Sequence, residues 1–364
     1  MKQAVPFGAA LRPIQIKWQQ FSSRLNRYDK IIMYGEKMKT GKASEAVLKR
    51  SILKQLDSRR RDVVLGAEAG ENFSAVSGSE DETIVLSIDP ITGATERIGS
   101  LGIWAAVNDV AASGAEPAAV LVTLLLPTVM NEVQLKLIVK DMEAAAQKAN
   151  VQIIGGHTEV TRAVNRPVIT VAGIGKCQRD AMLFSKSVRP GMDILITNWI
   201  GIEGTIILAA EKEEALLKHF SRPFVEKAKA LEEYLPVLLA ASIAAKNGAR
   251  AMHHMSEGGV FGALWEMAEA SHVGLDIDLK KIPIRQETIE ICEFFGINPY
   301  KLISGGSLLI AAEDGEAVVS ALKKEGCHAV IIGKAAEGND RILRCGEEAR
   351  YLETPQTDEL HRIL

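Results

Sequence analysis

The chain is short of aromatic side chains, has no paired cysteines, carries no strong charge of either sign and contains no long apolar run. Aromatics are 5% of its 364 residues, too few for the stacking platforms that hold unpaired bases. The formal net charge of -3 leaves no electrostatic footprint for nucleic acid or an anionic membrane. The four cysteines, Cys177, Cys292, Cys327 and Cys345, are scattered without a CxxC pair. That spacing excludes a zinc ribbon and reads as reduced thiols in a cytoplasmic protein. No apolar stretch reaches the roughly 20 residues that span a bilayer. What is present is ordinary globular material: 47% hydrophobic and 24% charged residues, in a chain long enough for two domains.

The first 37 residues stand apart. Seven basic residues face two acids there, a net charge of +5. Pro6, Arg12 and Pro13 interrupt any apolar core of a secretory signal. The periodic pattern begins only after Met38, which suggests that Met38 is the true start with upstream-translated residues before it; an extra surface arm is the other reading. Residues 1–37 are expected to be dispensable for folding.

Beyond Met38, Ser44 is placed to cap a helix with Leu48, Ile52 and Leu56 on one face. A loop at 66–72 carries Glu68 and Glu71 among glycines. Strands are expected at 75–76, 83–88, 118–126, 151–154 and 167–175. Helices are expected at 97–113 and 131–150. In the first of these, Leu101, Ala105, Asn108 and Ala112 share a face, which turns Asn108 inward and puts Asp109 at its border. Residues 176–191 read as a crossing between domains. A second alternation follows, with strands at 193–198, 251–253, 275–279, 307–312 and 328–333. Its helices run from 205, over 223–247, 260–271, 285–295 and 315–326. Alternation without an all-β spacing predicts an α/β (α+β) fold in two domains, over 38–175 and 176–353, with a tail at 354–364.

Three Gly-rich turns could admit a phosphate, because glycine lets backbone N–H groups approach and a helix N-terminus adds a favourable dipole. They are 66–72, 201–205 and Ser256-Glu257-Gly258-Gly259. None carries the Lys-Ser/Thr of a P-loop or the GxGxxG of a dinucleotide fold, and any of them can be a plain turn. The carboxylates suited to a hard cation are Glu71, Asp89 and Asp109. Asp89, before Pro90, is equally a turn start. Glu71 is equally a solvated loop acid, and Asp109 a hydrogen-bonded core acid. His157, after a turn expected at Gly155-Gly156, can serve as donor, as base, or as neither. His253 and His254 are adjacent, point to opposite faces of a strand and so share no metal.

In order along the chain these pieces resemble the aminoimidazole ribonucleotide (AIR) synthase superfamily. The superfamily includes selenophosphate synthetase, thiamine-monophosphate kinase and a hydrogenase-maturation carbamoyl dehydratase. The resemblance covers about residues 38–353. Its most specific parts are Val107-Asn108-Asp109-Val110-Ala111 with Gly114-Ala115-Glu116-Pro117, and Ile154-Gly155-Gly156-His157-Thr158-Glu159-Val160. The nearest branch is the hydrogenase-maturation one and its AIR synthase-related members. The resemblance implies a mixed-sheet N-terminal domain that pairs in a homodimer, and a C-terminal α/β domain. It also implies ATP with Mg²⁺ in a cleft between them, used to phosphorylate a carbonyl or amide oxygen of a small substrate. Carried over, Asp89 and Asp109 would hold Mg²⁺. Gly66, Gly70, Glu71 and Asn72 would cover the phosphates, while Asn108, Asp109, Gly155, Gly156, Gly258 and Gly259 would contact the nucleotide. His157 would stand near as the catalytic donor or base.

Three departures bear on that reading. Asn72, His157 and His254 stand where the family has acids. The chain also ends His361-Arg362-Ile363-Leu364, with its last cysteine at Cys345. The C-terminal cysteine that carries a carbamoyl group in the maturation branch is therefore not expected. The rival expectation is a catalytically degenerate member that binds a ligand or partner.

Overall fold

The computed structural model describes residues 45–56, 60–79 and 81–364. The expectations for residues 1–37 and for Ser44 as a cap lie outside them. Residues Glu45–Val47, Leu48–Ile52 and Leu53–Gln55 change from α to π to 3₁₀ winding. The changing pitch breaks the four-residue face, and Ile52 and Leu56 are exposed.

The first sheet has six strands: β1 (Val63–Leu65), β2 (Ser74–Ser77), β3 (Glu82–Ile91), β4 (Glu116–Pro127), β5 (Gln152–Thr161) and β6 (Val168–Gln178). Their order is β1-β2-β3-β6-β4-β5, with β4 and β5 parallel and every other pair antiparallel. Helix α1 (Ile98–Ala112) lies across β3, β6 and β4, and α2 (Glu132–Ala149) lies against α1. Asn131 starts α2 through a capping box with Gln134, and Asn150 ends it in the left-handed region. Among the described residues, helices cover only one face of the sheet. On β3, Val85, Ser87 and Ile91 point toward α1, while Ile84 and Ile88 point outward and are exposed.

Two expectations for this half change. Residues 155–157 form no turn: the whole segment Gln152–Thr161 is strand β5, at the edge of the sheet. Asp89-Pro90 does not start a turn either, because β3 continues to Ile91 and Asp89 pairs with Val171 of β6. Pro90 is tolerated because β2 pairs with β3 only as far as Leu86, so at Pro90 the strand has a neighbour on one side alone.

The second sheet adds β7 (Asp193–Thr197), β8 (Ala249–His254), β9 (Gly274–Asp278), β10 (Leu308–Ala312), β11 (Ala329–Ala336), β12 (Arg341–Cys345) and β13 (Glu348–Tyr351). They run in the order β13-β12-β9-β11-β7-β10-β8, mixed in sense, with only β12 and β9 parallel among the described neighbours. The helices of this half are α3 (Ile202–Glu211), α4 (Arg222–Lys229), α5 (Leu238–Lys246), α6 (Gly259–Ser271), α7 (Gln286–Phe295) and α8 (Gly315–Lys324), with a further short turn of helix at Glu213–Leu216.

The expected continuous helix over 223–247 is interrupted. After the 3₁₀ segment Ala230–Tyr234 comes Leu235-Pro236-Val237, and α5 starts at Leu238. Proline lacks an N–H and clashes with the preceding turn, so the helix breaks there. The break strands a carbonyl at Leu235 and an N–H at Val237 in the interior, where they need partners. The core is continuous across the two sheets: residues of α1, β4 and β6 pack with residues of α3, α4 and α7 and with Leu360.

Candidate functional site

α1 places the site. Its residues are almost all buried, including Asn108 and Asp109. The Asn108 amide satisfies the break at Pro236: Val237 N–H donates to Oδ1 at 3.1 Å, and Nδ2 donates to the Leu235 carbonyl at 2.8 Å. The next residue, Asp109, meets the end of β8. His254 Nδ1 lies 2.7 Å from Asp109 Oδ1, and His254 Nε2 lies 3.4 Å from Asn108 Nδ2.

The Asn108 orientation sets the tautomer of His254. With Oδ1 accepting from Val237, Nδ2 faces Nε2 as a donor, so Nε2 accepts and Nδ1–H donates to Asp109. Burial lowers the His254 pKa to about 4, outweighing the charge of Asp89, which raises it. The contact is a hydrogen bond from a neutral imidazole. Asn72 Nδ2 donates to the His254 carbonyl at 3.2 Å, so two of the three family departures touch each other.

Around this pair opens a cleft of about 730 Å³ between the two sheets. Glu71 and Asn72 border it from one loop, Asp89 from β3, Ala105 and Asp109 from α1, and Glu203 from α3. His254, Ser256 and Glu257 border it from the end of β8, with Arg166, His361 and Leu364 from the loops and the C-terminal segment. Acids outnumber cations on this lining.

Each acid has its own environment. Glu71 accepts from the Ser185 and Lys186 N–H groups, both at 3.2 Å, and burial raises its pKa. It is thus a partly buried tie between its loop and residues 185–186, a setting different from a solvated loop acid. Glu203 follows Gly201, a left-handed N-cap, and is almost wholly buried. Burial, then the charge of Asp358, push its pKa up to about 8, so it holds a proton at neutral pH. Asp358 accepts from the Gly258 N–H at 2.6 Å and the Leu360 N–H at 2.8 Å, and burial raises its pKa to about 6. The Glu257 carboxylate, 3.1 Å from His361 Nε2, raises the His361 pKa.

The structure gathers some sequence candidates and separates others. Glu71, Asn72, Asp89 and Asp109 line the cleft, and Asn108 lies directly behind them. Gly70 packs on α6, where a Cβ would lie 2.8 Å from the Glu266 carbonyl, and a Cβ at Gly66 would meet Val63 Cγ1 at 3.8 Å, an ordinary contact. Gly258 gives its N–H to Asp358, and Gly259 opens α6. Gly155, Gly156 and His157 lie on exposed β5 and are not among the cleft residues. His157 Nε2 lies 3.6 Å from Glu159 Oε2 on the same strand. Glu203, Arg166, Asp358 and His361 were not singled out from sequence. Acids before Gly204 and after Ser256 carried a signal, but a lone Arg in a loop and a terminal segment carry none.

The residues test the expected Mg²⁺ as follows. Oxygen donors suited to a hard cation are present at Asp89, with Glu71 on the same cleft. Asp109, however, is engaged by an imidazole, and no cluster of three His, Cys, Asp or Glu side chains is arranged to hold a metal among the described residues. No helix among the described residues is long and apolar enough to cross a membrane.

Comparison with known proteins agrees with this architecture. Residues 70–177 match the model of the AIR synthase related protein, N-terminal domain, and residues 189–346 that of its C-terminal domain. A Methanocaldococcus jannaschii protein named for hydrogenase expression and formation is 31% identical over 337 residues, which are 89% of this chain and 97% of that one. Carbamoyl dehydratase HypE of Rhizobium leguminosarum bv. viciae is 32% identical over 76% of this chain and 80% of its own. Among solved structures, a HypE–HypF complex superposes with a TM-score of 0.69 at 23% identity, covering 85% of this chain and 100% of the other. ThiL in complex with AMPPCP and TMP superposes with a TM-score of 0.67 at 20% identity, covering 86% and 98%. HypE in complex with ATP gives 0.63 at 21%, covering 89% and 98%. With two mixed sheets in the same order as the two matched domain models, and an acid-lined cleft between them, the chain belongs to the AIR synthase related protein family.

Proposed function

We propose that the chain is a nucleotide-binding AIR synthase-related protein that uses ATP to phosphorylate a carbonyl or amide oxygen of a small substrate. One observation carries the reading. Glu71, Asn72, Asp89, Asp109, Glu203 and His254 come from separate segments and converge on one cleft of about 730 Å³. That volume suits a nucleotide-sized ligand. HypE holds ATP and ThiL holds AMPPCP on the same fold, which supports a nucleotide here. Mg²⁺, arriving with the nucleotide, would rest on Asp89 and neutralise charge growing on the transferred phosphoryl group. Glu203, holding a proton in the cleft, is suited to give it to the phosphate oxygen that leaves as the substrate oxygen bonds to the transferred phosphorus. Isothermal titration with ATP, with Mg²⁺ and with EDTA, tests the reading. One site per chain supports it, and no heat of binding in either buffer removes it.

The position of His157 favours a second reading, a family member that binds a ligand or partner without catalysis. The side chain expected as donor or base is exposed on β5, outside the cleft. Single-turnover incubation with ATP distinguishes the two, because only the catalytic protein releases ADP.

We infer that the domains divide at about residues 175–176, with the segment from 354 completing the cleft. The first domain pairs in a homodimer through the open face of its sheet. Ile88 is 68% exposed and Leu121 42%, and both stand in one row with Ala172 of β6 on that face. A single apolar sheet face of this kind is normally covered. Ile88→Asp is expected to shift the light-scattering mass at micromolar concentration from dimer to monomer. A monomeric wild type would remove the dimer.

A further inference from the structure

The imidazole of His254 does more than fill the space left by a family acid. We propose that it takes the place of a divalent cation beside Asp109, so that in this chain Asp109 is the acceptor of a fixed N–H and not a metal ligand. The nucleotide reading enters only through the cation left at Asp89, and the assignment of Asp109 stands on contacts within the chain.

Every ring atom that could move is already committed. Asn108 is held at both ends of its amide by the Leu235 carbonyl and the Val237 N–H. Its Nδ2 therefore donates to His254 Nε2, and the only ring proton sits on Nδ1, 2.7 Å from Asp109 Oδ1. The backbone of the same residue is tied too, by Asn72 to its carbonyl and by β10, where His254 pairs with Leu308. Both side chains are at most 6% exposed. A cation binding Asp109 Oδ1 would displace the Nδ1–H and leave it buried without an acceptor. That unmet buried donor adds to the cost of dehydrating the ion.

The charge argument points the same way. Two carboxylates facing each other in a buried site repel, and one must take a proton unless a cation lies between them. Asp at position 254 would face Asp109 in this way. His removes one of the two charges and supplies the hydrogen that the other needs. The pair is then satisfied without metal, and it joins α1 of one half to β8 of the other.

Mn²⁺ titration of the full chain, read as loss of the free-ion EPR signal, tests the assignment. Asp109→Asn is expected to leave the number of bound Mn²⁺ ions unchanged, whether that number is zero or one. His254→Asp is expected to bind one Mn²⁺ more than wild type and to melt at a temperature that rises with Mn²⁺. Loss of one bound ion in Asp109→Asn overturns the proposal, and so does a folded His254→Asp that gains none. Should either variant not fold, ¹⁵N NMR of the wild-type histidine rings decides. The Nδ1–H tautomer of His254 should persist at saturating Mg²⁺, and its loss on Mg²⁺ addition overturns the assignment. A parallel ATP titration keeps the two ideas separate: absence of nucleotide binding removes the proposed function and leaves the Mn²⁺ comparison intact.

Discussion

Glu203→Gln will be more stable than wild type above pH 8 and equally stable near pH 4. Glu203 is buried beside Asp358, with Asp89 and Asp109 within electrostatic reach, and its pKa is pushed from 4.5 up to about 8. In the unfolded chain it loses its proton near 4.5. Between the two values the folded state holds a proton that the unfolded state has released, so stability falls as pH rises through this window. Glutamine mimics the protonated carboxyl and cannot ionise, which removes that slope. The difference should reach about 4–5 kcal/mol at pH 8.5. Chemical denaturation of both proteins from pH 4 to pH 9 measures it. Parallel stability curves for the two proteins would show that Glu203 ionises freely in the fold. The same variant separates stability from chemistry: it should retain the ATP titration while losing ADP release.

Gly156→Ala will have the largest effect on folding of any conservative substitution in the N-terminal half. Gly156 pairs with Val122 on β4, and a Cβ there would sit 1.8 Å from the Val122 carbonyl oxygen. Its φ of +148° is a conformation that L side chains avoid. Both strands are backbone at the clash, so nothing flexible can move aside. The edge strand must detach, at a cost of roughly 4 kcal/mol or more. Gly155→Ala, with only Leu121 Cδ2 at 3.7 Å, should cost about 1–2 kcal/mol from backbone strain alone. Urea melts of the two variants give the comparison. The resemblance assigns both glycines to nucleotide contact, whereas their positions on β5 assign Gly156 to strand pairing. A Gly156→Ala protein that melts like wild type but binds ATP more weakly would restore the first assignment.

The sequence by itself determined the alternation of strands and helices and the two-sheet fold. It also marked the Asn108-Asp109 pair, because a polar pair inside an apolar helix is visible by spacing alone. Element type was legible where one face is buried, as in α2 and β4, since burial writes a period into the chain. Short strands at or next to a sheet edge, such as β1, β12 and β13, left no such mark. The strand character of Gly155-Gly156-His157 was hidden as well, because glycine signals a turn and a close backbone approach equally.

Only the tertiary structure decided what the polar residues do. Asn72 and His254 are 182 positions apart, and His254 and Asp109 are 145 apart. No local pattern reports that they meet. Glu203 reads as an ordinary helix acid until the fold buries it beside Asp358, 155 residues downstream, and its proton affinity changes with the environment. His157, the most conspicuous histidine in the sequence, is left on an open edge strand. Periodicity is a local property that burial imprints on neighbouring residues. Hydrogen-bond partners and proton affinities are set by contacts between distant segments, and those exist only after the chain has folded.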